Sequence, residues 1–206
     1  MRAVGAALTA LALLLPGLPA WALDLPQLMA LLAERRSGEA RFTEQRFVSG
    51  LDQTLLSSGV LRFAAPDRFE RHTEQPRAES MVVQGNQVTL ERGGRKRRLA
   101  LDAVPEVAAM VAAVRGTLTG DAGALQQYFE PAVAGTPALW SLTLTPRDER
   151  LSATVRQLRI DGQHADLRSV ELLLADGDRS LMQIAAPQGS GQIAAPQGDA
   201  KPPRTP

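Results

Sequence analysis

Residues 39–101 limit the fold more than any other part of the chain, because they break into strand-length runs with turn residues between them. The runs cover 40–48, 54–64, 68–73, 80–84, 87–91 and 96–101. Gly85-Asn86 and Gly93-Gly94, which fall between the last three runs, are two-residue signals of tight antiparallel hairpins. Polar and apolar residues alternate along the runs, so each strand has one covered face and one wet face. Six consecutive strands joined in this way predict an antiparallel meander.

The remainder must cover that meander and extend it. Leu25, Leu28, Met29, Leu31 and Leu32 recur at helical spacing, with Pro26 suited to a first turn and Gly38 expected to close the helix. Residues 104–129 are helical again, with Val107, Met110, Val111 and Val114 along one stripe. Leu125, Tyr128 and Phe129 fall on a second short helix after Gly120-Asp121, and residues 131–137 read as a break. Four further strands are predicted at 139–145, 152–160, 167–175 and 180–185. The sum is an α+β domain of about ten antiparallel strands, a sheet wide enough that it must curve or split to bury one face. Val, Ala and Met dominate the helix that has to cover that face. Small side chains under a wide sheet leave two outcomes open, an apolar hollow suited to a ligand or a fully packed core.

The two ends read differently from the middle. Arg2 followed by an apolar run from Val4 to Leu15, helix breakers Pro16 and Gly17, and Ala20-Trp21-Ala22 match an export signal cleaved after Ala22. The expected organisation is a signal peptide at 1–22, a domain at 23–187 and a disordered tail at 188–206. The tail reading rests on the second copy of a direct repeat, Gln183 to Gly189 and then Gln192 to Gly198, and on the proline-rich stretch after it. Location in a bacterial periplasm follows from the signal.

Composition removes most catalytic tools. The chain has no Cys, which excludes disulfides, thiolate nucleophiles and Cys-ligated metal sites, and its two histidines, His72 and His164, are far apart. A formal charge of +1 gives no general attraction to nucleic acid, and loss of Arg2 on cleavage brings the basic and acidic counts level. Asp161, His164 and Asp166 with Ser152 or Ser169 invite a search for a triad, but no G-x-S-x-G elbow accompanies them. No enzyme activity, cofactor or metal is expected.

Several motifs resemble the LolA family of periplasmic outer-membrane lipoprotein carriers. Phe42-Thr43-Glu44-Gln45 is similar to the family's first-strand F-x-Q signature. The stretch from Gly59 through Phe63, Pro66 and Phe69, the second proline at Pro76, the run from Met81 to Val88, and Trp140 to Pro146 ending in Thr-Pro match further family positions. The resemblance covers nearly the whole expected domain. It implies a strongly curved, unclosed half-barrel with helices as a lid over an apolar cavity. It also implies acylated lipoprotein or lipid as cargo, taken from an inner-membrane donor complex and given to an outer-membrane acceptor by a monomeric carrier. Two departures bear on mechanism: the family's Arg before the first proline, which holds the lid shut, is Ala65, and an aromatic two residues after the phenylalanine is Arg71. The family's C-terminal extension has no counterpart with strand character beyond Ala186.

Phe42, Leu61, Phe63, Phe69, Val83, Leu90, Leu99, Leu142 and Leu144 are therefore the expected cavity wall, and Val107, Met110, Val111 and Val114 the lid. Arg95, Lys96, Arg97 and Arg98 form the densest charge run, either a solvated hairpin tip or a docking site for an acidic partner or lipid headgroups. Glu44 and Glu70 could face each other across strands, with separate ion pairs to Arg46, Arg62 or Arg68 the expected alternative. His72 and Trp140 read as structural. Beside the carrier stand a lipid-responsive adaptor of the same fold and a packed domain without ligand.

Overall fold

The computed structural model describes residues 23–186, so the expected signal peptide and the repeat-bearing tail lie outside the described residues. Helix α1 (Leu25–Ala33) starts with a reciprocal cap: the Asp24 side chain accepts from the Gln27 amide at 2.8 Å, and the Gln27 side chain accepts from the Asp24 amide at 3.2 Å. The predicted meander follows as β1 (Ser37–Phe47), β2 (Leu55–Ala64), β3 (Arg68–Gln75), β4 (Glu79–Gln84), β5 (Gln87–Arg92) and β6 (Arg95–Ala100). Gln84 pairs with Gln87 and Arg92 with Arg95, so both glycine-containing pairs make the expected two-residue turns. Helices α2 (Pro105–Thr119) and α3 (Ala122–Tyr128) then cross to the second block. That block is β7 (Phe129–Thr136), β8 (Leu139–Pro146), the single turn α4 (Glu149–Ser152), β9 (Val155–Gln163), β10 (Asp166–Leu174) and β11 (Arg179–Ile184).

All eleven strands belong to one unclosed antiparallel sheet, in the order β6-β5-β4-β3-β2-β1-β11-β10-β9-β8-β7. The first and last strands meet in its middle, with Phe42 opposite Ile184 and Glu44 opposite Met182. Three local expectations are corrected. Residues 131–137 are not a break but most of β7; Pro131 is tolerated there because β7 is an edge strand whose missing amide costs no ladder bond. Gly38 does not close α1 but lies inside β1, where the Phe63 ring packs so closely that a Cβ would sit 2.9 Å from it. Ser152 belongs to α4, which Asp148 caps by accepting from the Leu151 amide at 2.8 Å, so β9 begins at Val155.

The helices lie on one face of the half-barrel, and the main core forms under its C-terminal block. Leu28, Met29 and Leu32 of α1, Leu125 of α3 and the small stripe Ala109 and Ala113 of α2 pack there with Trp140, Leu142, Leu144, Leu158 and Ile160. Close helix approach depends on Gly116, whose absent Cβ leaves room for Leu125, and on Gly120, which ends α2 at φ +70° against the Met29 carbonyl. Trp140 is buried against Gly162 and donates its ring N–H to the His164 carbonyl at 2.9 Å. A smaller cluster, Val83, Val88 and Leu101, meets Val107, Ala108 and Val111 near the start of α2.

Candidate functional site

Between these two clusters, under α2, a cavity of about 500 Å³ remains. Its wall is overwhelmingly apolar, with Leu61, Phe63, Phe69, Met81 and Val83 from the first block and Leu158, Ile160, Val170, Leu172, Met182 and Ile184 from the second. The stripe Val107, Met110, Val111 and Val114 of α2 forms its roof. Small residues explain the gap: Ala109 and Ala113 draw α2 against the other helices, and the valines opposite them are too short to fill the concavity. A void of about 150 Å³ is enough to admit a benzene-sized ligand, so this space exceeds a packing defect.

Cross-strand pairing puts all nine expected wall residues on the helix-covered face, but it brings only Leu61, Phe63, Phe69 and Val83 to the cavity. Leu142 and Leu144 are fully buried in the main core beneath α1 and α3, where those helices leave no gap. Phe42 is buried under the Arg71 guanidinium, which stacks 4.8 Å from its ring centroid. Leu90 and Leu99 lie on the two outermost strands beyond the cavity, with Leu90 exposed.

Polar residues also reach the mainly apolar wall, and Glu44 and Arg71 form one cluster of them. Glu44 of β1 is buried and accepts from Arg71 Nη2 at 2.5 Å, Ser57 Oγ at 2.9 Å and Ser180 Oγ at 2.5 Å. Burial alone would push its carboxyl up, but the Ser180 hydroxyl, the Arg71 charge and the Ser57 hydroxyl together hold it below its ordinary value. Glu44 therefore pairs with Arg71 rather than with Arg46, Arg62 or Arg68. Glu70 projects from the other face of the sheet, so the two carboxylates do not meet. It binds His72 at 2.7 Å and Arg68 at 2.6 Å, and the His72 contact, more than Arg68, holds its carboxyl low against the opposing effect of burial.

Helix α2 is tied to the sheet from its own side. Arg115 of α2 donates from Nη2 to the Gly85 carbonyl at 2.7 Å and to the Asp67 carbonyl at 3.4 Å, joining the helix to the β4–β5 and β2–β3 turns. Ala65 offers no such side chain; its amide donates to the Arg36 carbonyl at 2.8 Å. At another end of the cavity Arg35, just after α1, pairs with Asp166 at the start of β10.

The remaining candidates disperse. Asp161 accepts from Ser169 Oγ and Arg159 Nε, each at 3.0 Å, and Ser152 Oγ donates to the Glu149 carbonyl at 3.1 Å. His164 is a turn residue at φ +52° whose amide donates to the Pro137 carbonyl at 2.7 Å. No group of three or more His, Asp or Glu among the described residues could hold a metal ion. No helix among them is long and apolar enough to cross a membrane. Arg95, Lys96, Arg97 and Arg98 are exposed along β6, an edge strand, with Arg97 opposite Leu90 on the concave side and Lys96 and Arg98 on the other. A row of cations on a free edge discourages pairing with another strand.

No curated protein matches the chain. A LolA superfamily protein from Nitrosomonas europaea is 10% identical, with a TM-score of 0.42 over 80% of this chain and 92% of that one. LprF from Mycobacterium bovis is 11% identical, with a TM-score of 0.33 over 84% and 97%. The MucA/MucB complex of Pseudomonas aeruginosa contains a chain 15% identical, with a TM-score of 0.34 over 84% and 61%. The family model for outer membrane lipoprotein carrier protein LolA-like sequences matches residues 17–201, and the chain belongs to that family.

Proposed function

We propose that the protein is a periplasmic carrier that shields the acyl chains of a lipoprotein or lipid in its cavity while the cargo moves between the inner and outer membranes. The observation that carries this reading is the apolar cavity of about 500 Å³ under a helix of small side chains, within the roughly 300–1,000 Å³ range of ligand sites. Each CH₂ withheld from water is worth about 0.8 kcal/mol, so an acyl chain needs such an enclosure to cross an aqueous compartment. Transfer needs no covalent step; a donor complex in the inner membrane loads the carrier, and an acceptor at the outer membrane binds the cargo better. Val107, Met110, Val111 and Val114 act as the lid. Residues 1–22 direct export, and the cationic edge Arg95 to Arg98 docks on an acidic partner or on lipid headgroups. The carrier works as a monomer, without nucleic acid or cofactor.

Native mass spectrometry of the protein exported to a bacterial periplasm through its own leader tests this directly. Adducts with the masses of phospholipid, lipoprotein or acyl species are expected. A clean apoprotein that also takes up no fluorescent fatty acid would overturn the carrier reading.

A further inference from the structure

The Glu44–Arg71 pair is out of place in a wall built only for hydrocarbon. A buried ion pair costs desolvation that apolar residues of similar volume avoid, so a site for bare methylene groups gains nothing from it. Glu44 has its acceptor capacity engaged by Ser57, Ser180 and Arg71. Arg71 does not: of its nitrogens only Nη2 has a hydrogen-bond partner among the described residues. Its Nε and Nη1 are not fully buried either, since the one fully buried polar side-chain atom without a partner among the described residues is Nε of Arg35, and Arg71 lines the cavity. Leu61 and Met81 stand directly across from Arg71 on the neighbouring strands, and both line the cavity. The Phe42 ring fixes the plane of the guanidinium from below.

The result is a planar donor with spare N–H groups, set in an apolar wall and neutralised by its own carboxylate. Because the pair has no net charge, it offers hydrogen bonds without strongly favouring an anion. From this geometry, and resting on the carrier reading above, we propose that Arg71 is a specificity-determining residue that binds the carbonyl oxygen of an acyl ester or amide. The cavity thereby selects cargo by the linkage at the head of the chain as well as by the chain itself. A hydrogen bond from a charged donor to a neutral carbonyl in such surroundings corresponds to about a tenfold preference.

The test uses displacement of a bound fluorescent fatty acid, cis-parinaric acid, by methyl hexadecanoate and by hexadecyl methyl ether, which lacks the carbonyl. The whole protein should bind the ester about tenfold more tightly than the ether. The double variant Glu44→Gln/Arg71→Met, which removes both charges together, should bind the two alike while keeping its affinity for the ether. Equal binding by the unaltered protein overturns the proposal and leaves the carrier reading standing, and so does an ester preference that survives in the folded double variant. Should the double variant fail to fold, Arg71→Lys, which keeps the charge beside Glu44 and loses the planar fork, is expected to lower the preference, and an unchanged preference overturns the proposal. Failure of the probe and both competitors to bind overturns the carrier reading and this inference together.

Discussion

Arg115 of α2 and Gly85 of the β4–β5 turn are joined by a 2.7 Å hydrogen bond from side chain to carbonyl, so the helix over the cavity carries its own fastening to the sheet. The family's arrangement, as the sequence resemblance implies it, puts the arginine on the sheet side before the proline; here Ala65 occupies that place. Arg115→Ala should cost about 1–2 kcal/mol of stability, the worth of a charge-assisted hydrogen bond to a carbonyl. Hydrogen exchange across residues 105–119 should speed up more than exchange in β8 and β9. Equal acceleration in both regions would mean that Arg115 stabilises the domain without fastening the lid.

A charge placed in the roof separates cavity from core. Val111 faces the open space, whereas Leu142 is fully buried among α1, α3 and the sheet. Val111→Asp should leave a cooperative melt and abolish fatty-acid uptake, because the carboxylate can keep water in the cavity. Leu142→Asp should lose several kcal/mol and fail to fold stably. Similar thermal melts for the two variants would contradict this placement.

Trp140 and Gly162 give a steric prediction. A Cβ on Gly162 would lie 2.0 Å from the Trp140 ring, whose N–H is held by the His164 carbonyl. Gly162→Ala should therefore displace a buried ring and cost about 1–3 kcal/mol or more, measurable by denaturant titration and by tryptophan fluorescence. An unchanged midpoint would show that the β9 backbone yields more easily than the structure implies.

Glu44 predicts an acid-side loss of stability. Its carboxyl is held below the ordinary value of about 4.5, so the stabilisation it provides is complete above that pH and is lost as pH falls through the lowered folded-state value. The stability difference between the unaltered protein and Glu44→Gln should be largest at neutral pH and shrink below about pH 4.5. Thermal melts across that range measure it. A difference independent of pH would mean that the carboxylate charge is not what matters.

Residue chemistry alone makes some of this legible. The Gly85-Asn86 and Gly93-Gly94 turns fixed the hairpins because few residues other than glycine tolerate their backbone angles. The roof stripe Val107, Met110, Val111 and Val114 followed from helical spacing, and its placement over a space rather than a core depended on where Ala109 and Ala113 pull the helix. Strand β7 is hidden because Pro131, Gly135 and Pro137 read locally as a loop, and only its position at the sheet edge makes Pro131 acceptable within it. The Glu44–Arg71 pair was out of reach: the two residues are on strands that are not neighbours, and register between β1, β2 and β3 is a property of the assembled sheet.

The seam between β1 and β11 sets the order in which the molecule can become competent. Each block of strands is a local meander able to form early, but the floor of the cavity draws on both and exists only when the final strand lies beside the first. Closing that seam is the slow, long-range event in a topology otherwise made of near neighbours. A carrier exported as proposed would emerge with its binding surface divided, unable to capture lipid from the membrane it is crossing. Competence would then arrive only once the whole domain is on the far side.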